Sequence, residues 1–479
     1  MNALLIVVPL IGGVIAWIVP SNRVRPVVLP VVALLDLAVA LAVIADPPQP
    51  SPGGWVSLDP LGAIVLFCVS ILFTICAVYA VGYLAYRQER SNRILCVGML
   101  VCLFAMNLVT LAQHLGLFWV ALETTTVSMA PLIYFNRNAR SIEATWKYLL
   151  ICSVGIALAL LGLLFLAYST YVATHDATLL MRDILGQATR LDRAWLHAAA
   201  IFLLVGYGSK MGLAPLHAWK PDAYGEAPGL VGALLAGGLV NCAFLGIIRV
   251  YQVCHASGSE LPFFQKTLVI MGLVSMAFAA VFMARQADFK RMLAYSSVEH
   301  VGILAVGLGL GTGLALWGAL FHLINNGLTK GVLFLSSGNI HRSYGNKTTD
   351  VVTGVLARLP WSGWLFLLGF IAITGSPPFS PFVSEFSIVS HAFSTDRPLV
   401  GSLFLFFLTV VFIGMASTVI PLVMGEPAPD LPKSDYRDRI LTVGPPLAAL
   451  VIVFILGVAP PPFLISILEE GRALLEGRP

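Results

Sequence analysis

Long apolar stretches, separated by short polar segments, run along the whole chain. Many contain 18 or more residues with almost no charge, and a helix of that length crosses a hydrocarbon core about 30 Å thick. Counting these stretches predicts an all-α polytopic membrane protein with about fourteen spans. The predicted spans are centred near residues 12, 35, 71, 104, 125, 157, 205, 240, 274, 302, 325, 376, 411 and 452.

The composition agrees with this pattern, since 58% of the 479 residues are hydrophobic and 11% are charged. A soluble domain carries roughly 25% charged residues. The longest hydrophilic stretches, around residues 172–194, 341–358 and 426–438, are too short for a separate soluble domain. A soluble globular protein is therefore excluded, and catalysis outside the membrane is not expected.

The basic residues are distributed asymmetrically among the loops. Of the 28 Lys and Arg residues, 17 lie in the loops after odd-numbered spans and six occupy the even loops. The positive-inside rule therefore predicts that the odd loops face the cytoplasm and that both termini lie on the outer side of the cytoplasmic membrane.

Two clusters of proline and glycine interrupt otherwise apolar stretches. One occupies residues 212–229 and contains Pro215, and the other occupies residues 375–381 and contains Pro377, Pro378 and Pro381. Paired interruptions in two halves of a membrane protein are typical of broken helices beside an ion or substrate site. We expect the breaks to fall in spans 7 and 12.

Lys210 and Glu123 are charged residues within apolar spans. Lys210 precedes Pro215 in AIFLLVGYGSKMGLAP, and Glu123 lies mid-span in LGLFWVALETTTVSMAPLIYF. Removal from water favours the neutral amine, so a buried lysine can exchange protons near physiological pH. We expect the two to form a switchable ion pair. The alternatives are a lysine that snorkels to the interface and a protonated glutamic acid that only packs.

His322, Asn326 and Lys330 follow the spacing i, i+4, i+8 and so share one helix face. Histidine titrates near neutrality and lysine donates strongly, so this face can carry a proton through waters along the membrane plane. A histidine satisfied structurally is the alternative for His322.

Glu385 follows the second break, and we expect it to close a route to the far surface as Lys210 or Lys330 opens one. A carboxylate at a helix end is the alternative. Lys147 and the pair Glu299 and His300 are expected nearer to span ends, where snorkelling or capping competes with a functional role. Asp36 is alone in span 2, without an evident partner.

No cofactor or metal motif is recognisable. The seven cysteines form no CxxC pair, and the chain lacks HExxH, CxxCH, GxSxG and a complete P-loop. The net charge of +4 is too small to indicate nucleic-acid binding. We expect no cofactor, no metal and no catalytic redox centre in this chain.

Five motifs carry further information: LFWVALETTT, GSKMGLAPLHAWKPDAYGEAP, DFKRMLAYSSVEHVG, FHLINNGLTKGVLFL and PPFSPFVSEF. They resemble motifs of the antiporter-like subunits shared by respiratory complex I, Mrp cation antiporters and membrane-bound hydrogenases. Their sequences are most similar to component F of hydrogenase-4 and formate hydrogenlyase-type complexes.

The resemblance implies N-terminal helices 1–3 in residues 1–92, inverted five-helix repeats in 93–255 and 256–425, and helix 14 with a short tail in 426–479. It also implies a proton path from Glu123 and Lys210 through Lys330 and His322 to Glu385. Many relatives carry a lysine or histidine in span 8, where this chain has Asn241. The central relay would then pass through water or through His300.

The leading hypothesis is a proton-translocating subunit coupled to other membrane subunits and a peripheral redox module, either a hydrogenase or a dehydrogenase. An ion-coupled subunit of a non-redox transporter, such as a cation antiporter or an inorganic-carbon uptake pair, is the alternative. A scaffold that has lost transport is a third hypothesis, opposed by the costly charges retained in the spans.

Overall fold

The computed structural model describes residues 1–284, 286–427 and 434–477, and this part of the chain is built from helices without extended strands. Only isolated bridges, such as Val56 with Ala112, pair extended backbone. The helices are α1 (Asn2–Ile18), α2 (Arg25–Ala45), α3 (Pro60–Ala85), α4 (Arg93–Leu111), α5 (Leu115–Ile133), α6 (Ala139–Thr174), α7 (Met181–Gly186), α8 (Arg193–Met211), α9 (Lys220–Glu226), α10 (Gly229–Ala233), α11 (Val240–Ser257), α12 (Leu261–Met283), α13 (Phe289–Leu310), α14 (Gly313–Tyr344), α15 (Val355–Arg358), α16 (Pro360–Ile373), α17 (Ser380–Ser394), α18 (Pro398–Met424), α19 (Ile440–Val458) and α20 (Pro462–Leu475).

The described residues contain ten helices that are long and apolar enough to cross a membrane. Adding α1, α14, α8 with α9, and α16 with α17 brings the count to fourteen, in agreement with the predicted fold class. Three spans combine two helices: α8 with α9, α10 with α11 through a π-helical turn at Leu234–Leu239, and α16 with α17. The helical form follows from the solvent, because lipid offers no hydrogen-bond partner to the backbone. Predicted centres fall within these spans.

A central group of helices is enclosed by the others. In the most apolar 18-residue stretch of α10–α11, and in that of α13, 100% of the residues are buried. In the corresponding stretch of α18 only 28% are buried, so this helix exposes an apolar face. Apolar side chains on α2, α6, α18 and α19 face outward, as expected for helices in contact with lipid. The buried central helices, including α14, carry the polar residues described below.

Spans 7 and 12 are interrupted. Helix α8 ends at Met211 and α9 begins at Lys220, while α16 ends at Ile373 and α17 begins at Ser380. The predicted helix breaks are therefore present. The non-helical segments contain Pro215, Pro377 and Pro378, and Pro381 is the second residue of α17.

The loops after odd-numbered spans meet on one side of the molecule, which we call the basic face. Arg87 Nη2 donates a hydrogen bond of 2.7 Å to Asn136 Oδ1, and Lys347 lies 2.6 Å from Glu226. These contacts join loops that follow spans 3, 5, 7 and 11. Arg285 and Lys433, two of the 17 residues in the charge count, lie outside the described residues.

The opposite face carries α20, a short helix after span 14. Glu476, directly after α20, accepts a hydrogen bond of 2.7 Å through its Oε1 from the Gly313 N–H at the start of α14. Gly471 faces Ile64 of α3 and Leu320 of α14. The tail predicted after helix 14 is therefore a helix packed against the bundle.

Asp59 and Arg249 form an ion pair near this opposite face. Asp59 precedes α3 and caps it by accepting from the Gly62 N–H at 2.9 Å, and Arg249 Nη2 donates to Asp59 Oδ1 at 2.8 Å. Burial alone would raise the pKa of the Asp59 carboxyl, but Arg249 and the Gly62 N–H outweigh burial and lower it.

Replacing Arg249 by methionine is expected to lower the free energy of unfolding by roughly 3 kcal/mol. This value is at the lower end of the range for a broken buried ion pair, because the Asp59 side chain retains some exposure. Thermal unfolding in detergent measures the change, with the exposed Arg23→Met as control. Because folding lowers the pKa of Asp59, the pair's contribution in the wild type is present above pH about 4 and is lost as the pH falls further. Equal unfolding midpoints for both variants would contradict this expectation.

Candidate functional site

Lys210 and Glu123 are joined through a hydroxyl group. Lys210 lies in the last turn of α8, directly before the break, and is 1% exposed. Its Nζ donates to Thr126 Oγ1, and Thr126 Oγ1 donates to Glu123 Oε2 at 2.9 Å. The predicted pairing is thus indirect in this structure, with Thr126 between the two charges.

Two residues of α6 complete this first cluster. Ser153 Oγ donates to Glu123 Oε1 at 3.0 Å, and Lys210 Nζ donates to Tyr148 OH at 3.4 Å. Both Glu123 oxygens therefore accept hydrogen bonds from hydroxyl groups that can rotate. Such an arrangement permits proton exchange without movement of a helix.

Lys147 lies apart from this cluster, at the basic face. Its side chain is 44% exposed and contacts Glu143 at 2.6 Å and Asp222 at 2.8 Å. With Arg291 they line an open cavity of about 300 Å³. The structure therefore places Lys147 at an exposed surface, outside the first cluster.

A second cluster lies between α13, α14 and α17. His300 Nδ1 is 3.0 Å from His322 Nε2, and His322 Nδ1 is 2.9 Å from Ser384 Oγ. Glu385 is 5% exposed, and its Oε1 lies 3.9 Å from His300 Nδ1. The structure thus brings together three residues from separate motifs of the sequence.

The hydrogen bonds favour one arrangement of the protons in this cluster. Ser384 Oγ donates its only proton to the Pro381 carbonyl at 2.8 Å, so it accepts from Nδ1–H of His322. The bare Nε2 of His322 then accepts from Nδ1–H of His300. In this arrangement the neutral His300 has its free lone pair on Nε2, where a proton can be added.

In the part of the chain that the structure describes, one group of side chains could surround a metal ion. It consists of His300, His322 and Glu385, whose possible ligand atoms lie within 4.8 Å of one another. The two ring nitrogens are separated by hydrogen-bonding distance, and Ser384 orients the second ring for that bond. We therefore interpret the cluster as hydrogen-bonded.

Lys330 extends the polar face of α14. It is fully buried, and its Nζ donates to Ser296 Oγ on α13 at 2.7 Å. Asn326, one turn away, has neither side-chain polar atom bonded to a protein group. The face predicted from the i, i+4, i+8 spacing is therefore buried against α13.

The expectation that Glu299 and His300 lie near a span end was wrong. Both are near the middle of α13 and at most 3% exposed. The sequence showed the helix but not its position in the bundle. Asp36 also has partners, contrary to expectation: Asn107 Nδ2 donates to it at 2.7 Å and Ser70 Oγ at 3.4 Å.

Lys220 is a buried residue that the sequence pattern did not identify. The charge count assigned it to a cytoplasmic loop, but it is 0% exposed and its Nζ donates to Ser297 of α13. Its position directly after a proline-containing helix break could have identified it, because residues that flank such breaks often line an ion or substrate site at the centre of a bundle.

Asn241 is also buried in the centre. Its Nδ2 donates to the Leu323 carbonyl at 3.1 Å and contacts Cys68 Sγ at 3.3 Å. It joins span 8 to α14 through neutral hydrogen bonds.

The family model described as "NADH:quinone oxidoreductase/Mrp antiporter, TM" matches residues 112–414, more than half of the chain. The chain belongs to this family. The resemblance found in the sequence motifs is thereby confirmed. The matched region contains both polar clusters and both broken spans of this antiporter-family protein.

Two relatives align with more of this chain than the family model matches. The hydrogenase-4 component F homolog of Methylacidiphilum infernorum is 32% identical over 433 residues, covering 89% of this chain and 90% of the relative. A Na(+)/H(+) antiporter subunit from Alkalihalophilus pseudofirmus is 26% identical over 421 residues, covering 87% of this chain and 83% of the relative.

A solved structure has the same fold. A chain of the membrane-bound sulfane sulfur reductase, described as an archaeal respiratory membrane complex, matches with a TM-score of 0.86 at 23% identity and covers 99% of this chain and 97% of its own. This antiporter-family protein is thus a polytopic membrane protein with the architecture of subunits from multi-subunit membrane complexes.

Proposed function

We propose that this chain translocates protons across the cytoplasmic membrane as one subunit of a larger complex. The observation that carries the proposal is the series of ionisable side chains buried at the centre of the bundle, in helices surrounded by apolar ones. Buried charges in a membrane are costly and are retained where an ion or proton passes.

The proposed path begins at the cavity beside Lys147 on the basic face. Protons then reach Glu123 and Lys210, where Thr126 relays them between carboxylate and amine. The first cluster lies beside the break in span 7, so a small change at that break alters the contact between Lys210 and its partners.

The path ends at the second cluster. Lys330 and the histidine pair carry the proton along α13 and α14, and Glu385 exchanges it with the opposite face. The position of Glu385 supports this direction, because its Oε1 lies 3.9 Å from His300 Nδ1 and can take up the proton that His300 releases there.

We propose inverted repeats in residues 93–255 and 256–425, flanked by residues 1–92 and 426–479. Each proposed repeat contains one broken span with a buried polar cluster beside it. The loops on the basic face are proposed to be cytoplasmic, with both termini on the outer side.

The energy source in this proposal is a redox partner of the hydrogenase or dehydrogenase class, since a relative with 90% coverage is named as a hydrogenase-4 component homolog. The matching Na(+)/H(+) antiporter relative favours a second candidate, a non-redox cation antiporter. Lysines in the path repel a bound cation and exchange protons readily, which favours protons over sodium.

Gentle detergent purification with mass spectrometry of co-purifying chains tests the choice of partner. Redox subunits together with substrate-driven acidification of proteoliposomes are the expected result. Co-purification of antiporter proteins alone, with proton flux that requires sodium, would establish the second candidate instead. A complex that moves neither ion would contradict both.

A further inference from the structure

Span 8 has no lysine or carboxylate in its described residues, and its one histidine, His255, lies in the last turn of α11. Asn241 lies in the buried centre, and its amide forms hydrogen bonds to the Leu323 carbonyl and Cys68. An amide has no proton to exchange at physiological pH. Transfer between Lys210 and Lys330 therefore passes through water or through a side chain of another element.

Lys220 follows the break in span 7, and its side chain is buried in the centre of the bundle. It is the first residue of α9, and its aliphatic part lies against Gly212, which has a φ of +73°. A β-carbon at Gly212 would collide with this side chain. The break and the glycine together let a residue from the basic side of the span reach the buried interior.

Lys220 and Lys330 contact neighbouring serine residues of α13. Lys220 Nζ donates to the carbonyl and the Oγ of Ser297, both at 3.3 Å, while Lys330 Nζ donates to Ser296 Oγ at 2.7 Å. The two lysines therefore contact consecutive residues of α13. On its other side, Lys220 packs against Gly212, two residues after Lys210.

The surroundings of Lys220 do not fix its charge. Among the described residues no carboxylate forms an ion pair with its Nζ, and the Tyr224 ring lies 5.9 Å away. Lys330 on α14 is a neighbouring group of the same sign, and the buried Glu299 follows Ser297 by two residues on α13. A buried ammonium without a counterion releases its proton more readily than a paired one.

We propose that Lys220 is the central proton carrier of this chain and fills the role that Asn241 cannot. The inference rests on the proposed function. In each cycle the neutral amine of Lys220 takes one proton from the Lys210 side and becomes an ammonium. It then releases one proton toward the neutral amine of Lys330, and its own lone pair is restored.

Proton flux through the full chain in liposomes tests this proposal without knowledge of the driving partner. A potassium gradient with valinomycin sets the membrane potential, and enclosed pyranine reports the internal pH. The variants are Lys220→Gln, which retains hydrogen-bond donors, and Lys220→Arg, which retains charge but cannot release a proton. Lys266→Gln, an exposed lysine on α12, is the matched control.

We expect both Lys220 variants to lower the flux by about a hundredfold, at the lower end for a lost acid–base group, while the control retains wild-type flux. Size-exclusion profiles and thermal unfolding establish that each variant is folded. A folded Lys220→Arg or Lys220→Gln protein with wild-type flux overturns the proposal, even if Lys210→Met is inactive. A wild-type chain without flux overturns the proposed function, and the inference with it.

Discussion

Replacing Lys210 by methionine is expected to reduce proton flux by about a hundredfold or more, a loss typical of a removed acid–base group. Methionine fills a similar volume, so α8 should still pack, but Thr126 and Tyr148 lose the amine that they contact. The proton on Glu123 then has no acceptor beyond Thr126. Flux in proteoliposomes measures the effect.

Lys266→Met is the control for the Lys210 substitution, because it removes the same charge from an exposed position on α12. Thermal unfolding of both variants separates loss of flux from loss of fold. If Lys210→Met retained wild-type flux, Lys210 would be a structural lysine, as in the alternative interpretation of the sequence, and the relay would be wrong from its first step.

Glu385→Gln is expected to have a comparable effect, again about a hundredfold. Glutamine retains the shape and one carbonyl oxygen, but it cannot take up or release a proton. The His300 and His322 pair would then have no titratable group through which to exchange with the opposite face. The measurement is the same flux assay, carried out on the folded variant.

Glu470→Gln, an exposed position on α20, serves as the matched control for Glu385. A second readout is the flux in the reverse direction, with the potential inverted. The proposed terminal position requires both directions to be blocked. Normal flux in either direction through folded Glu385→Gln would remove Glu385 from the path.

The spans were predictable because hydropathy is a local property. A stretch of 18 apolar residues crosses the bilayer whatever its neighbours are, and its backbone must be helical in lipid. The breaks were predictable for the same reason, since proline and glycine at 212–229 and 375–381 interrupt the helix pattern directly. These features needed no knowledge of tertiary contacts.

Part of the site was predictable from the cost of burial. Lys210, Lys330 and Glu385 stand out as charges within apolar stretches, and the structure finds them buried. Lys147 has the same kind of sequence surroundings but pairs with Asp222 at the basic face. Hydropathy locates a residue along the chain, but it does not give its depth to within a helical turn.

Sequence alone determined the fourteen spans, their breaks and the identity of most ionisable groups, because each depends on the residues of one segment. Only the tertiary structure decided which groups meet. The Thr126 bridge, the stacking of His300 on His322 and the burial of Lys220 each join segments that are distant in the chain. Such contacts depend on how helices pack, and a basic residue after a helix break has the same sequence pattern whether it faces water or the centre of the bundle.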